Sequence, residues 1–417
     1  MIRALLSAST FPLHANDVQP RFVLDLAEAL ADHVEVGALA PDAPDAARRD
    51  RVGRVKIRRF TYFLPRRLQR LAYGDGMPDN VRASWWAKIQ LLPFLIAQSV
   101  ALGVWVRQGR FHVVNSHWMI PQGLTSALVR GPARGGRRPR FRHVITLHSG
   151  DVYMLRRLPF GRFLARFIMA RADAVFAVSS NVRDVLDELL GRPSGAEIQP
   201  VGVHVDLFRP REDVDPVSSP FSGGYVLFVG RLHEIKGVDY LLRALPKLRE
   251  SHPELGLMIV GYGSYGARLE AEARRLGLEN QVKFCGKQPH GEIARYLRGA
   301  RAVAVPSVTE PDGRTEGMPS VLIEAMAAGC RVVASAVGGM KDVVRDGENG
   351  WLCEPRDADD LARRLLVALA DPEDSPIPVA ARRTADTLDW SAVAERYART
   401  FRALAEADSP SGAGDAA

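Results

Sequence analysis

The chain has 417 residues, of which 47% are hydrophobic and 25% charged, and this is enough to build two α/β domains of about 200 residues each. Its three cysteines, Cys285, Cys330 and Cys353, are irregularly spaced in apolar runs. This excludes a disulfide framework or a zinc site and predicts buried free thiols in a reducing compartment. The net charge of +8 is unevenly divided, because residues 1–206 carry 29 Lys and Arg against 17 Asp and Glu, whereas the rest carries 27 against 31.

The first half predicts a doubly wound α/β sheet. Short apolar strands near residues 2–7, 33–39, 55–60, 111–115, 142–147, 174–178 and 197–200 alternate with helical segments. The N-terminal residues form the first of these strands and lack the composition of a signal peptide. The loop that follows, residues 9–18, contains His14 and no glycine.

Residues 89–106 are an almost uninterrupted apolar segment of about the minimum length that spans a bilayer. The segment contains Gln90, Pro93 and Gln98 and leads directly into the strand near residue 111. A buried helix before a sheet strand is therefore the favoured interpretation, and no transmembrane helix is predicted.

Two segments of the basic first half, residues 62–71 and 153–167, mix aromatic residues and leucine with arginine. This composition is typical of proteins that contact an anionic membrane surface or a lipid diphosphate. Nucleic acid is the alternative ligand, but no helix-turn-helix, zinc-finger or aromatic RNA-binding pattern is present. We therefore expect peripheral contact with an anionic membrane surface and no nucleic-acid partner.

Polar residues follow two strands of the first half. His148 comes directly after the strand 142–147, with Asp151 three residues later, and His117 follows the strand 111–115. Open α/β sheets bind ligands beyond the carboxyl ends of their strands, which makes His148 a site candidate. A lone histidine is more often structural, so both interpretations stay open on the residues alone.

A second α/β series follows a segment rich in Pro, Ser and Gly, residues 208–224, which predicts a linker. Its strands are predicted near residues 225–229, 256–260, 281–285, 302–305, 331–334 and 350–353, with later helices at about 357–370 and 390–407. Residues 408–417 have the composition of a disordered tail.

Two cations lie just beyond the first strand of this series. Arg231 follows Gly230 at the strand end, and Lys236 precedes Gly237 on the same loop. Cations in this position can hold an anion, although an exposed basic turn is the alternative.

Glu316 and Glu324 stand eight residues apart around the start of a predicted helix. Pro319 suits the first turn of that helix, and Gly329 suits its end. The N–H groups of residues 320–322 would then point out of the helix N-terminus, where a phosphate can bind. Glu324 lies among apolar residues, and a carboxylate in such surroundings indicates a specific role.

These segments together resemble the retaining glycosyltransferases of family GT4, which have the GT-B architecture. Related patterns occur at residues 115–123, 146–152, 178–180 and 201–203, so the similarity extends over nearly the whole chain. The resemblance implies two Rossmann-like domains facing across a cleft. Residues 1–207 would form the acceptor domain and residues 225–389 the donor domain, with the helix 390–407 crossing back onto the first.

The resemblance implies transfer of a sugar from a nucleotide-diphospho-sugar to an acceptor hydroxyl, with retention of configuration. Glu316 and His148 would be catalytic, and Glu324 would hold the ribose of the donor. The implied donor-binding set is Gly230, Arg231, Lys236, Met318, Pro319, Ser320, Val321, Leu322 and Glu324. The acceptor-side candidates are His14, His117 and Asp151.

No metal or other cofactor is expected. Asp213 and Asp215 match the Asp-x-Asp metal motif of the other main glycosyltransferase architecture, but they lie in the linker between two prolines. The acceptor favoured by the basic first half is a lipid-linked glycan of cell-surface polysaccharide synthesis, at the cytoplasmic face of the plasma membrane.

The sequence departs from the family pattern at two loops. The family's His-Gly-x-Asp order is replaced by His148-Ser149-Gly150-Asp151, and the first loop lacks the glycine pair that many members have. A nucleotide-sugar epimerase of the same fold and a non-catalytic subunit of a polysaccharide-assembly complex are the alternatives. The base and the sugar of the donor stay open among UDP, GDP and ADP derivatives.

Overall fold

The computed structural model describes residues 1–13, 21–44, 46–74, 76–131, 140–211 and 215–407. His14, Asp213, the basic residues between 132 and 139, and the predicted tail 408–417 lie outside the described residues. The chain divides into two compact units. The first contains residues 1–178 and 182–199 and also includes the last helix, which begins at Trp390. The second contains residues 200–389 together with residues 179–181.

The first unit has an eight-stranded sheet in the order β3-β4-β2-β1-β5-β6-β7-β8. Its strands are β1 (Arg3–Ser7), β2 (Glu35–Pro41), β3 (Arg49–Val52), β4 (Val55–Phe60), β5 (Val113–His117), β6 (Arg142–Leu147), β7 (Ala174–Ala177) and β8 (Glu197–Ile198). Every neighbouring pair is parallel except β3 and β4, which form a hairpin. The predicted doubly wound sheet is confirmed, while the edge strand β3 was not predicted.

Helices cover both faces of this sheet. They are α1 (Phe22–Leu30), α2 (Met77–Ala83), α3 (Trp85–Ile89), α4 (Leu91–Gly109), α5 (Leu124–Arg130), α6 (Gly150–Arg157), α7 (Gly161–Met169), α8 (Ser180–Leu190) and, from the end of the chain, a helix over Trp390–Glu406. Because side chains alternate along a strand, Leu6 of β1 packs in the core beneath α1, whereas Leu5 packs beneath α4.

The prediction of a buried helix over residues 89–106 holds for only one face of α4. Phe94, Leu102 and Trp105 of α4 pack into the core, but only 33% of the apolar window between Trp85 and Gly109 is buried. By length and composition this is a helix that could cross a membrane. The segment is apolar on both faces, and the sheet covers only one of them.

Part of the basic segment 62–71 is built into the core of the first unit. Tyr62 and Leu71 are buried in the core, and the guanidinium of Arg66 donates two hydrogen bonds of 2.7 Å to the carboxylate of Asp42. The aromatic residues and Arg66 of this segment therefore hold the first unit together.

The second unit has a six-stranded parallel sheet in the order β11-β10-β9-β12-β13-β14. Its strands are β9 (Tyr225–Val229), β10 (Gly256–Val260), β11 (Val282–Gly286), β12 (Ala302–Val305), β13 (Val332–Ser335) and β14 (Trp351–Cys353). Its helices are α9 (Val205–Phe208), α10 (Val238–Ser251), α11 (Gly266–Arg275), α12 (His290–Gly299), α13 (Ser320–Ala327), α14 (Met340–Val343), α15 (Ala358–Ala370) and α16 (Pro376–Asp386).

The second unit begins earlier than the predicted linker. Val203 and Phe208 are buried in its core, and the Val203 N–H donates a 2.9 Å hydrogen bond to the carbonyl oxygen of Leu388. The apolar residues between 200 and 208 are therefore committed to the second unit.

The last helix, α17 (Trp390–Glu406), belongs to the first unit. It packs against α1, and its Tyr397 ring lies 4.3 Å from the Phe176 ring between centroids. The Tyr397 hydroxyl lies 3.2 Å from the Thr146 hydroxyl, so a long-range polar contact fixes the helix on the sheet.

Candidate functional site

The loop after β9 is shaped by two glycines. The Gly230 N–H donates to the Val260 carbonyl oxygen at 3.0 Å, and a short 3₁₀ turn over Glu234–Lys236 ends at Gly237, whose φ is +64°. A methyl group at Gly237 would lie 2.0 Å from the carbonyl oxygen of Pro306. Only glycine fits there, and the close contact places Lys236 beside the end of β12.

Lys236 and Glu316 form an ion pair at this edge. The Lys236 Nζ lies 2.5 Å from Oε1 of Glu316, and both side chains are largely buried. The buried hydroxyl of Ser307 donates a 2.7 Å hydrogen bond to the other carboxylate oxygen, Oε2. The sequence predicted roles for Lys236 and Glu316 but not their direct contact, and it did not identify Ser307.

A second glycine pair supports the Glu316 backbone. A methyl group at Gly338 would lie 2.1 Å from the carbonyl oxygen of Glu316, and one at Gly339 would lie 2.0 Å from that of Gly317. The loop after β13 therefore packs directly on the segment that carries the carboxylate. Sequence reasoning missed this contact, although a Gly-Gly pair just after a predicted strand was a usable signal.

Helix α13 begins one residue later than predicted. Pro319 is its N-cap, with φ −71° and ψ 119°, and does not lie in the first turn. The Leu322 N–H donates to the Pro319 carbonyl oxygen at 3.1 Å, so the prediction that it points to a ligand was wrong. The N–H groups of Ser320 and Val321 remain at the helix N-terminus, where a phosphate can bind.

Glu324 lies inside α13, and its neighbours Val321, Leu322 and Ile323 are all buried. Glu324 itself is only 7% exposed, which confirms the predicted burial. Gly329, with φ +72°, follows the end of the helix as predicted, because the left-handed conformation there suits glycine. Met318 is partly buried and packs against the core of the unit.

The loops after β9, β10 and β11 converge next to Gly230. The Gly261 N–H donates to the Gly286 carbonyl oxygen at 2.8 Å, and a methyl group at Gly261 would lie 1.8 Å from the Gly230 carbonyl oxygen. Lys287 stacks over the Tyr262 ring, with its Nζ 4.6 Å from the centroid. Arg231 is exposed at the start of the first of these loops.

In the first unit, His117 and His148 are in contact. Nδ1 of His117 lies 3.0 Å from Nε2 of His148, and the two rings stack at an interplanar angle of 22°. Burial lowers the pKa of His148 to about 3. Burial, and then the charge of His148, hold the pKa of His117 well below its usual value, so both imidazoles are neutral at pH 7.

Asp151 holds the histidine loop in place. Its Oδ2 accepts a 2.7 Å hydrogen bond from the Met119 N–H, and its Oδ1 accepts one of 3.2 Å from the His148 N–H. Burial raises the pKa of this carboxyl group. The contacts favour the loop-holding role over acceptor contact. Ser149, which stands where the family has glycine, has φ +98°, a strained conformation for a residue with a side chain.

The remaining predictions concern metals and thiols. Within the described parts of the chain, no cluster of three or more His, Cys, Asp or Glu side chains could hold a metal ion. All three cysteines are free thiols, but only Cys330 and Cys353 are buried. The prediction was wrong for Cys285, which is half-buried because β11 is the edge strand of its sheet.

The fold matches that of known sugar-transferring enzymes. Sucrose-phosphate synthase from Thermosynechococcus elongatus superposes with a TM-score of 0.75 and 22% identity, over 98% of this chain and all of that one. This likeness shows the fold: two α/β units, each with a mostly parallel sheet, as in the GT-B architecture.

Sequence comparison identifies the family. Profiles described as "Glycosyltransferase Family 4" and "Glycosyl transferases group 1" match residues 19–207 and 214–383. The GDP-mannose-dependent alpha-(1-6)-phosphatidylinositol monomannoside mannosyltransferase of Mycolicibacterium smegmatis is 32% identical over 65% of this chain and 73% of that protein. The chain belongs to the GT4-type glycosyltransferases.

A glycogen synthase of Mycobacterium tuberculosis is also similar, at 33% identity over 57% of this chain. The match spans only 56% of that relative's length.

Proposed function

We propose that the chain transfers a sugar from a nucleotide-diphospho-sugar to an acceptor hydroxyl with retention of the anomeric configuration. The observation that carries the proposal is the contact between Lys236 and Glu316 at the strand edge where α13 begins. The Lys236 ammonium and the two free N–H groups at the start of α13 can bind a diphosphate. The Glu316 carboxylate beside them can bind sugar hydroxyls or stabilise a positive charge.

The leaving diphosphate gains negative charge as the sugar–phosphate bond breaks. Lys236, Arg231 and the N–H groups at the start of α13 would stabilise that charge, and fixed donors of this kind make a large contribution to catalysis. Glu324 would bind the ribose hydroxyls. Glu316, positioned by Ser307, would orient the donor sugar or stabilise the cationic transition state.

The histidine pair would contact the donor sugar and not the diphosphate. Because the pKa of His148 is about 3, its imidazole carries no charge at pH 7 and would not repel an oxocarbenium-like sugar. His117, in hydrogen-bond contact with it, would hold the ring in one orientation. The catalytic assignment of His148 rests on its place in the family pattern.

The proposed acceptor is a lipid-linked glycan of cell-surface polysaccharide synthesis, at the cytoplasmic face of the plasma membrane. The net positive charge of residues 1–206 supports an anionic lipid partner. The mycolicibacterial relative, named for transfer to a phosphatidylinositol monomannoside, supports a lipid acceptor of some kind. No metal or other cofactor is proposed.

The donor is tested first by thermal unfolding with UDP-, GDP- and ADP-sugars. A true donor at about 100 times its Kd stabilises the fold by about 2.7 kcal/mol, which is readily measured. Transfer is then followed with that donor, and the anomeric configuration of the product is read by NMR.

Lys236→Ala and Glu316→Ala should each lower transfer strongly while the fold survives. Lys247→Ala, which removes an exposed lysine on α10, is the matched control and should leave the rate unchanged. Wild-type rates in both site variants, or an inverted product, would contradict the proposal. Conversion of the donor without an acceptor would indicate an epimerase.

A further inference from the structure

We infer that the outer surface of α3 and α4 is a docking surface for an anionic bilayer. Six large apolar side chains follow one another along it at helical spacing: Trp85, Ile89, Leu92, Ile96, Val100 and Val104. We call this set the apolar stripe. Each member is between 44% and 69% exposed.

The stripe is not the core face of the helix. Phe94, Leu102 and Trp105 pack onto the sheet from the opposite side of α4 and are buried. Isolated exposed apolar residues are normal, but a continuous row along about 28 Å of helix is typical of an interaction site. The helices on the other face of the sheet, α1 and α17, have no exposed large apolar side chain.

The neighbouring helices extend the surface. Helix α5 packs beside α4, and α7 packs beside α5. Leu128 of α5 is exposed, as are Phe163 of α7 and Phe160 just before it. Exposed aromatic rings beside arginine are typical of segments that lie in the membrane interface.

The segment that carries the stripe is predominantly basic, although Asp79, just before it, pairs with Arg82. Residues 80–172 hold fifteen Lys and Arg but a single acidic residue, Asp151, which is buried. Lys88 lies beside one end of the stripe and Arg107 beyond the other. A positive surface of this kind is attracted to anionic lipid headgroups.

A basic cleft of about 450 Å³ lies at the C-terminal end of α4, lined by Val106, Arg107, Arg110, Phe111, His112 and Arg140. Among the described residues, the three arginines form no ion pair or side-chain hydrogen bond. Guanidinium groups bind phosphate through paired N–H donors. The cleft is thus suited to the phosphate of a lipid headgroup held next to the stripe.

The bilayer is favoured over two other occupants. A spanning helix would have to leave the sheet, yet Phe94 and Leu102 are integral to the core. A second copy of the chain would place this predominantly cationic surface against itself, with few acidic residues to neutralise it. The docking surface itself is inferred independently of the proposed function. Only the idea that docking brings a lipid-linked acceptor within reach rests on that function.

Full-length protein is sedimented with two kinds of vesicle. One is pure phosphatidylcholine, and the other contains about 30 mol% phosphatidylglycerol, which supplies the negative surface charge. We expect binding to the anionic vesicles that weakens at least tenfold in Ile96→Asp/Val100→Asp and in Arg107→Gln/Arg110→Gln. Val367→Asp, at an exposed valine of α15, is the matched control and should bind like wild type. Fluorescence of Trp85 should be quenched by brominated lipid, and the Trp85→Phe variant should lose that signal.

Thermal stabilisation by the donor is measured on every variant. If it persists while vesicle binding is lost, the docking surface is supported independently of transfer. No binding of wild type to anionic vesicles, or equal binding of the stripe variant and the Val367→Asp control, would overturn the inference. A wild-type dimer that the stripe variant dissociates, without vesicle binding, would instead make the stripe an interface between copies.

Discussion

The two strand edges that carry the site residues present opposite chemistry on sheets of similar construction. In the second unit, Lys236 and Glu316 meet as charged groups, and glycines let the backbones of neighbouring loops touch. In the first unit, His117 and His148 meet as neutral groups, because burial prevents their protonation. Loop composition and burial, rather than sheet topology, determine which charge an edge offers.

The sharpest test within the charged edge compares its two carboxylates. Glu316→Gln keeps an acceptor for Ser307 but removes the charge, and we expect kcat to fall by about 10²–10³-fold. Glu324→Gln should instead raise KM for the donor by about tenfold, since it removes a charge-assisted hydrogen bond to the ribose. Steady-state kinetics with the donor found by thermal unfolding separate the two effects. Equal losses of kcat in both variants would refute the division of roles.

The tight glycine contacts are tested at Gly338. Gly338→Ala places a methyl group 2.1 Å from the Glu316 carbonyl oxygen, and we expect a loss of about 3 kcal/mol in the free energy of unfolding. Thermal stabilisation by the donor should be lost as well. Gly347→Ala is the matched control, because Gly347 also has positive φ but no atom within 4 Å of the new methyl group. It should cost only about 1 kcal/mol.

Burial of neutral histidines in the first unit should make stability depend on pH. His143, fully buried beside Ser116, has a pKa lowered to about 3 by burial, against 6.5 in the unfolded chain. The unfolded state therefore takes up the proton first as the pH falls, and stability declines from pH 6.5 downward. His143→Gln should reduce that slope by about 1 kcal/mol per pH unit, averaged between pH 7 and pH 5, in urea unfolding.

The matched control for that slope is His290→Gln, which makes the same substitution at an exposed histidine. The measurement compares slopes between pH 7 and pH 5 and not absolute stabilities, because the substitution itself can destabilise the core. An unchanged slope in His143→Gln would mean that the imidazole takes up its proton over the same pH range in the folded and the unfolded chain, and would refute the predicted effect of burial.

The smallest expected effect is at Ser149. Its φ of +98° is costly for serine and easily reached by glycine, so Ser149→Gly should raise the free energy of unfolding by about 1 kcal/mol. Gly150→Ser, which adds a side chain at the neighbouring open position, is the comparison variant. A stabilised Ser149→Gly with lower activity would mean that the strain serves the histidine pair.

Most of the fold could be predicted because its strands are short apolar runs bounded by glycine and polar residues. The strand β3 could not, since Arg49, Asp50 and Arg51 give an edge strand a charged composition. The surface of α4 could not be assigned either. The same apolar sequence is compatible with a helix that packs on one face and with one that packs on both. Only the tertiary structure shows which faces of α4 are buried.

The site could be predicted only in part, through residues that form a motif. Lys236, Glu316 and Glu324 belong to spaced patterns, whereas Ser307 is a single serine after an apolar strand and carries no local signal. The exact start of α13 also escaped prediction. A proline before a helix is compatible with the N-cap and with the first turn, and here the extended backbone at Pro319 selects the N-cap.

The position of α17 has a consequence for biosynthesis. The first unit needs Trp390, Tyr397 and Phe401 to complete its core, yet these residues are translated after the whole second unit. At about 5–20 residues per second, the ribosome takes roughly 10–40 s to add the intervening residues. During that interval the nascent first unit displays the apolar surface of α1, and we expect a chain shortened before Trp390 to depend on chaperones for solubility.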